Sequence, residues 1–541
     1  MTETAAVPSR EERIDAARTG MSLALHARYA PERPAITCVN GDRTFGALNA
    51  NANRLVVALL RRGVGAGDSL ALVCANRPEF AEVMAACLRA GIRVTPVNWH
   101  LTGEEMAYIV EDCEAAAVVG DARFAPAVTE AVAGAAGVRA RLAVGGDVDG
   151  FEPYAGTLAG EPGDDPVDPV LGRAMLYTSG TTGRPKGVDR ETSGTETRPT
   201  PVALAISDHS RYDPTTDVHL CTGPLYHAAP LAFSLNGPLT LGVGVVVMDG
   251  WEAEETLRLV EHHRVTHTHM VPTMFHRLLA LPAEVRDRYD VSSLRFVIHG
   301  AAPCPVAVKR GLIEWLGPVV YEYYAATEGG GTFVTPDEWL RKPGTVGRPV
   351  DDDLIRILDD AGERTQPGEV GTVYLRAPGT GRFRYYKDDD KTARSYRGDY
   401  FTLGDHGYVD DEGYLFLTGR SAELIISGGV NVYPAEVDAV LLTHPAVGDA
   451  GTIGVPNEEW GEEVKAVVEL RDGWRADAAL SDELIAFCRD RLARYKCPRT
   501  VDFVDQLPRH DNGKLYRRKL REMYVPDDDP TGHRAGRSNG G

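Results

Sequence analysis

The sequence has no CxxC pair: its eight cysteines, Cys38, Cys74, Cys87, Cys113, Cys221, Cys304, Cys488 and Cys497, are scattered and mostly lie in apolar stretches such as Met84-Ala-Ala-Cys87. They read as buried thiols of a reducing compartment. Long apolar runs are also missing. The longest, around Val243 to Met248, is far too short to cross a bilayer, and the opening MTETAAVPSREER lacks the apolar core of a signal peptide. A cytoplasmic location without integral membrane association is therefore expected. Positive charge is scarce, with 58 Lys and Arg against 78 Asp and Glu and a net charge of −20, so nucleic acid is not an expected partner. Glycine and proline are not gathered into any one tract, which excludes collagen-like repeats and wholesale disorder.

At 541 residues the chain is long enough for more than one domain. From Met21 to Asp121, helical stretches such as Leu48 to Arg62 alternate with β-rich runs such as Ser69 to Cys74, the rhythm of a layered α/β domain. A second series runs from Glu252 to Ile298, with a helix-like Glu254 to His263 and strand-like Thr266 to Val271 and Leu294 to Ile298. No clean break separates the two series. After Gly347, turn signals such as Asp411-Glu-Gly413 mark a small β subdomain that ends near Arg420. From Ser421 the pattern restarts, with helix signals at Pro434 to Leu442 and Asp482 to Leu492. The expected organisation is an N-terminal α/β unit over 1–420, a small α+β unit over 421–524, and a disordered Asp/Gly/Pro/Ser-rich tail over 525–541.

Residues 489 to 520 run against the overall acidity, with ten Lys or Arg against four Asp. They read as a solvated basic face or as a phosphate-facing surface.

The richest stretch is Tyr177-Thr-Ser-Gly-Thr-Thr-Gly-Arg-Pro-Lys-Gly-Val188, which follows a strand-like Ala174 to Tyr177. Its glycines let the backbone turn tightly and present N–H groups. Thr178, Ser179, Thr181 and Thr182 add hydroxyl donors beside Gly180 and Gly183, and Arg184 and Lys186 add positive charge. A polyphosphate needs such donors. The spacing is not that of a Walker loop, because Lys186 stands between Pro185 and Gly187.

This stretch resembles the signature loop of the adenylate-forming superfamily of acyl-CoA synthetases, nonribosomal adenylation domains and luciferases. The likeness extends in family order through Pro224-Leu-Tyr-His-Ala-Ala-Pro230, Gly300-Ala-Ala-Pro303, Tyr324-Ala-Ala-Thr-Glu328, Gly404-Asp405, Gly419-Arg420, Ser427-Gly-Gly429 with Asn431-Val-Tyr-Pro434, and Pro508-Arg-His-Asp-Asn-Gly-Lys514. It implies a large adenylation domain followed by a small mobile C-terminal domain.

The resemblance implies roles that the residue chemistry suits. Glu328 is a hard oxygen ligand for Mg²⁺. Thr327 can donate to a phosphate, and Tyr324, flanked by Ala325, offers an aromatic face to adenine, next to the Ala301-Ala302-Pro303 turn. Asp405 can accept both ribose hydroxyls, with Arg420 nearby. Lys514 bridges the substrate carboxylate and the α-phosphate during adenylation only. The small domain then turns about a hinge at Ala422, where many relatives carry Asp or Lys, and brings Gly428 and Gly429 to line a channel for the phosphopantetheine arm. His227 invites a catalytic role, because histidine as a residue type changes charge near neutral pH, yet it reads better as a pocket or gate residue. His262, His263, His267 and His269 have no metal-ligand spacing and read as surface plus core.

The acyl pocket implied by the resemblance is formed by His227, Ala228, Ala229, Gly300, Ala301 and Ala302. No Lys, Asp or Glu stands there to meet an α-amine or a second carboxylate, so an apolar acid is expected. Small side chains leave room for length, which favours a medium- or long-chain fatty acid, with an aryl acid as the alternative. The segment Asp189 to Thr200 is polar and Gly/Thr-rich where many relatives begin a histidine-bearing helix, and it reads as a mobile lid. Leu403 replaces a threonine common before Gly-Asp.

The expected activity is thus an AMP-forming acyl-CoA synthetase using ATP, Mg²⁺ and CoA. An acyl carrier protein is the alternative acceptor. A non-catalytic nucleotide binder is disfavoured by the joint presence of Lys514, Glu328 and Asp405, and a P-loop phosphotransferase by the motif spacing.

Overall fold

The computed structural model describes residues 8–178, 185–190, 201–378, 382–420, 423–427, 430–457, 460–509 and 513–525. It is a mixed α/β structure with a large N-terminal and a smaller C-terminal domain.

The first βα series builds a six-stranded sheet in which Ser69–Val73 pairs in parallel with both Arg93–Pro96 and Ala115–Asp121. Ser69–Val73 is buried at every position, as expected for a central parallel strand covered on both faces. The helix after the first strands is Phe45–Arg61, beginning three residues before the apolar periodicity because the Thr44 side chain accepts from the Ala47 N–H at 3.2 Å and caps it.

The second series builds an eight-stranded sheet. Parallel strands Val218–Cys221, His267–Met270, Phe296–His299 and Val320–Ala326 are joined by antiparallel Gly329–Val334 at one edge. At the other side, Pro34–Cys38 pairs in parallel with Gly244–Val247, more than 200 residues later. The missing break in the sequence has this cause: the first strand of the chain belongs to the second sheet, and one core packs elements of both. Ligands of parallel sheets bind beyond the carboxyl ends of the strands. Here those ends lead into the start of helix Pro272–Ala280 and the turns at Gly300 and Thr327.

The β subdomain is a five-stranded sheet of Ile355–Leu358, Gly371–Arg376, Tyr396–Arg397, Tyr400–Val409 and Leu415–Arg420. In the C-terminal domain, Val447–Asn457 and Gly461–Leu470 form a long antiparallel pair, Thr500–Val504 joins in parallel, and helices Pro434–Leu441 and Ala478–Arg489 cover the sheet. The second of these helices starts before Asp482 because Asp477 accepts from the Leu480 N–H at 2.9 Å. Val525, assigned from sequence to the disordered tail, packs against the core around Leu515 and Leu520. The rest of that tail, 526–541, lies outside the described residues.

Candidate active site

The phosphate-loop motif lies on an antiparallel strand pair. Leu176–Thr178 pairs with Lys186–Arg190, with Thr178 opposite Lys186, and Phe383–Tyr385 lies on the far side of the second strand. Ser179, Gly180, Thr181, Thr182 and Gly183 lie between the two strands in sequence and outside the described residues. Neighbouring side chains brace the strands: the Tyr177 hydroxyl donates to Asp112 Oδ2 at 2.6 Å, and the Tyr108 hydroxyl donates to the Pro185 carbonyl at 3.3 Å. Lys186 pairs with Asp388 at 3.1 Å.

Asp189 departs from the sequence reading of a mobile polar segment. It is strand, fully buried, and held between Arg173 (2.8 Å) and Arg384 (3.2 Å), whose guanidinium groups keep its carboxyl below the usual range despite burial. Arg190 also belongs to this strand. Residues 191–200 lie outside the described residues. The sequence could not supply Asp189's partners, one of which is 195 residues away.

Of the residues expected at the nucleotide, the fold brings Tyr324 and Asp405 together. Tyr324 is half-buried near the end of its strand, while its neighbour Tyr323 is the core tyrosine. The Tyr324 hydroxyl donates to Asp405 Oδ2 at 2.7 Å. Thr402 supplies a hydroxyl near the position where Leu403 lacks one, accepting from the Gly404 N–H at 3.0 Å. Ala301 adopts a left-handed φ of +69°. For a non-glycine residue this costs on the order of 1 kcal/mol and persists where the surroundings dictate it, often at ligand sites. Ala302 is half-buried, and Ala301 and Pro303 are exposed at the mouth of this turn.

Glu328 lies in the turn between Val320–Ala326 and Gly329–Val334, not at a helix start. It is 7% exposed, and one carboxylate oxygen accepts from the Tyr385 hydroxyl at 2.9 Å. Lys391 lies over the Tyr385 ring at 4.2 Å and within the field of Glu328; burial lowers its pKa. Arg190 donates to the Thr327 carbonyl at 3.0 Å. Among the described residues there is no group of three His, Cys, Asp or Glu arranged to hold a metal ion by themselves.

Of the residues expected around the acid, His227 follows the buried Tyr226, its ring centroid 4.4 Å from that of the tyrosine. Ala228 and Ala229 lead into a π-helical segment, Pro230–Asn236, a widened turn that carries Phe233. Phe233 packs against Tyr323 (centroids 4.9 Å) and His269 (5.6 Å), and His269 Nε2 lies 3.0 Å from the Tyr323 hydroxyl. Burial keeps His269 neutral, its pKa pushed down to about 4. A Cβ on Gly300 would meet the Tyr323 ring at 2.6 Å and its carbonyl at 2.8 Å. The space beside Gly300 is thus taken by the Tyr323 ring. Sequence reading missed Phe233 and Tyr323 and set His269 aside as core, since only the fold brings the three together.

Lys514 lies on a turn that docks against the N-terminal domain. Gly513, at φ +75°, lies against Thr273 and Val271 where the His267–Met270 strand runs into helix Pro272–Ala280, and a side chain there would clash with Thr273. Arg509 shapes the turn by donating to the Gly513 carbonyl at 2.7 Å, while its fork grips Asp449 through two 2.5 Å bonds. Arg517 similarly pairs with Asp438 and with Glu423 at 3.4 Å. These pairs use up part of the basic segment 489–520 inside the domain, leaving a smaller cationic surface than the charge count implies. Ala422, Gly428 and Gly429 lie outside the described residues, and Arg420 is placed only as the last residue of its strand.

Comparison with known proteins decides the family. The family model described as AMP-binding enzyme matches residues 23–386, and that of the AMP-binding enzyme C-terminal domain matches 436–514. The chain belongs to the AMP-binding enzyme family. It is an adenylate-forming acid–thiol ligase. The ligase is 34% identical to a 2-succinylbenzoate–CoA ligase of Geobacillus kaustophilus (strain HTA426), covering 94% of this chain and 98% of the relative. It is 31% identical to the fatty acid–[acyl-carrier-protein] ligase ScoC of Streptomyces coeruleorubidus, covering 94% and 96%. Among solved structures it is similar to o-succinylbenzoate CoA synthetase from Bacillus subtilis in complex with the acyl-adenylate intermediate, with a TM-score of 0.75 and 27% identity over 92% of this chain and 97% of that one.

No helix among the ligase's described residues is long and apolar enough to cross a membrane. Its cysteines are buried apart from the half-buried Cys304, and burial raises the pKa of each thiol.

Proposed function

We propose that the enzyme activates a compact aromatic carboxylic acid with MgATP and transfers the acyl group to the thiol of CoA. The observation that carries the choice of acid is the cluster of packed rings, Phe233, Tyr323 and His269, that lies against Gly300. Ring faces stack on a ring at low entropic cost, whereas a long flexible chain would need the Tyr323 ring displaced. The likeness to a 2-succinylbenzoate–CoA ligase supports the same reading.

In the first half-reaction a carboxylate oxygen attacks the α-phosphorus, forming the acyl–O–P bond as the bond to pyrophosphate breaks. Tyr324 and Asp405 orient adenosine, and the backbone and hydroxyl donors of Thr178 to Gly183, with Thr327 and Lys186, face the phosphates. The Lys514 ammonium offsets the repulsion of two approaching anions. Glu328 fits a hard cation that arrives on the polyphosphate. It is one carboxylate rather than a cage, with one oxygen steadied by Tyr385, as suits Mg²⁺, which keeps several waters and substrate oxygens. Bound there, Mg²⁺ would neutralise charge on the leaving pyrophosphate. In the second half-reaction the C-terminal domain turns at Ala422, withdraws Lys514 and presents Gly428 and Gly429. The thiolate then attacks the acyl carbon and AMP leaves. His227 borders the acid and takes no proton in this scheme.

A second reading, a fatty acid passed to a carrier protein, is favoured by the likeness to ScoC. One assay separates the two. Benzoates, arylacetates and fatty acids of graded length are each tested for acid-dependent ATP–pyrophosphate exchange, then for transfer to CoA and to carrier protein. Turnover confined to fatty acids would reject the aromatic reading.

A further inference from the structure

We propose that Arg190 is a positioning residue for adenylation: it fixes the Thr327-Glu328-Gly329 turn so that the Glu328 carboxylate meets the metal–polyphosphate complex. The inference rests on the metal-dependent reading above.

Arg190 is on the same strand as Lys186, directly after the nucleotide loop, while Glu328 belongs to a different sheet. Its Nη2 donates to the Thr327 carbonyl at 3.0 Å. It also fills the space beside Gly329, whose φ is +117° and where a Cβ would lie 2.9 Å from Nη2.

Arg190's choice of partner matters. It is half-buried, and burial lowers its pKa, so it needs an anion or a strong acceptor nearby. Among the described residues it makes no ion pair, although Glu328 is close enough for their charges to interact. The hydrogen bond goes to the carbonyl one residue earlier. The turn is thereby held by Arg190 and one carboxylate oxygen by Tyr385, without the carboxylate being neutralised by a bidentate guanidinium, so it keeps its affinity for a divalent cation. A residue that orients a ligand from behind in this way sets metal affinity more than maximal rate.

The test uses the full-length enzyme. Mg²⁺ is titrated in ATP–pyrophosphate exchange for the wild type, Arg190→Met, Arg190→Lys, Glu328→Gln and the Arg190→Met/Glu328→Gln double variant. Mn²⁺ binding to the enzyme–ATP complex, read by paramagnetic resonance, gives a measure independent of turnover, and a thermal midpoint is recorded for each protein. Arg190→Met is expected to weaken Mg²⁺ activation and Mn²⁺ binding about 10-fold, with kcat at saturating metal changed far less. The double variant should be no worse than Glu328→Gln, because both substitutions remove one function. Arg190→Lys, which keeps charge but not the planar fork, should fall between and carries the comparison if Arg190→Met does not fold. Multiplicative losses in the double variant, or unchanged metal dependence with only a lowered midpoint, would overturn the inference. A wild type indifferent to divalent metal would instead reject the metal-dependent reading itself.

Discussion

The Tyr324 hydroxyl donates to Asp405 Oδ2 at 2.7 Å, joining the carboxyl end of the large parallel sheet to the β subdomain across 81 residues of chain. One hydrogen bond thus fixes the aromatic ring proposed to stack on adenine relative to the carboxylate proposed to hold ribose. Asp405→Ala is expected to raise the KM for ATP by roughly 10- to 100-fold, the worth of hydrogen bonds to a charged group. Tyr324→Phe, which keeps the ring, should cost less. An unchanged ATP KM in Asp405→Ala would remove Asp405 from the nucleotide site.

Lys514 is expected to serve one half-reaction. Lys514→Ala should lower acid-dependent pyrophosphate exchange by about 10²- to 10³-fold, the usual loss for a preorganised charge aimed at the transition state. Thioester formation from supplied acyl-adenylate should stay within a few-fold of wild type. Equal loss in both assays would contradict the proposed domain rotation.

Gly300 tests the pocket wall. A methyl group there collides with the Tyr323 ring and carbonyl. Gly300→Ala should therefore raise the KM for the acid at least about 10-fold, as a displaced core ring costs roughly 1–3 kcal/mol, with the KM for ATP little changed. If the ATP KM rises instead, the turn serves the nucleotide and not the acid.

His269 predicts an acid-sensitive core. Its folded pKa is about 4, below the ordinary 6.5, because burial disfavours the imidazolium. Between those values the unfolded chain binds the proton that the folded chain excludes. Stability from this group is complete above pH 6.5 and falls as pH drops towards 4, by on the order of 3 kcal/mol. Urea midpoints at pH 7 and 4.5 should separate more for wild type than for His269→Gln. Equal separation would mean that His269 is not the group responsible.

Asp189 should matter for stability and for ATP together. Asp189→Asn leaves Arg173 and Arg384 facing a neutral amide, but both retain access to water, so a loss of about 1–3 kcal/mol is expected. Because the strand carries Lys186 and Arg190, the KM for MgATP should rise as well. A stable variant with unchanged ATP kinetics would show that the buried triad does not support the loop.

Chemistry concentrated in short contiguous stretches was legible in the chain itself. The Gly/Thr run after Tyr177, the Thr327-Glu328 pair, Gly404-Asp405 and the Gly513-Lys514 turn each combine donors, acceptors or charges with backbone freedom within a few residues, and their order identified the family before any coordinate was known. Helices and strands were legible for the same reason, since periodicity is local; errors arose at caps such as Thr44 and Asp477, where a single side chain moves the boundary. Tertiary structure alone decided what touches what. The first strand joins the second sheet, Asp189 is buried between arginines from two other strands, and Tyr323 fills the space that Gly300 leaves open. Shape and charge compensation depend on side chains separated by 16 to 195 residues in sequence, and no local pattern encodes such pairs. The sequence therefore specifies the family and its adenylation chemistry, while only the fold packs Phe233, Tyr323 and His269 together, the cluster proposed to select the acid.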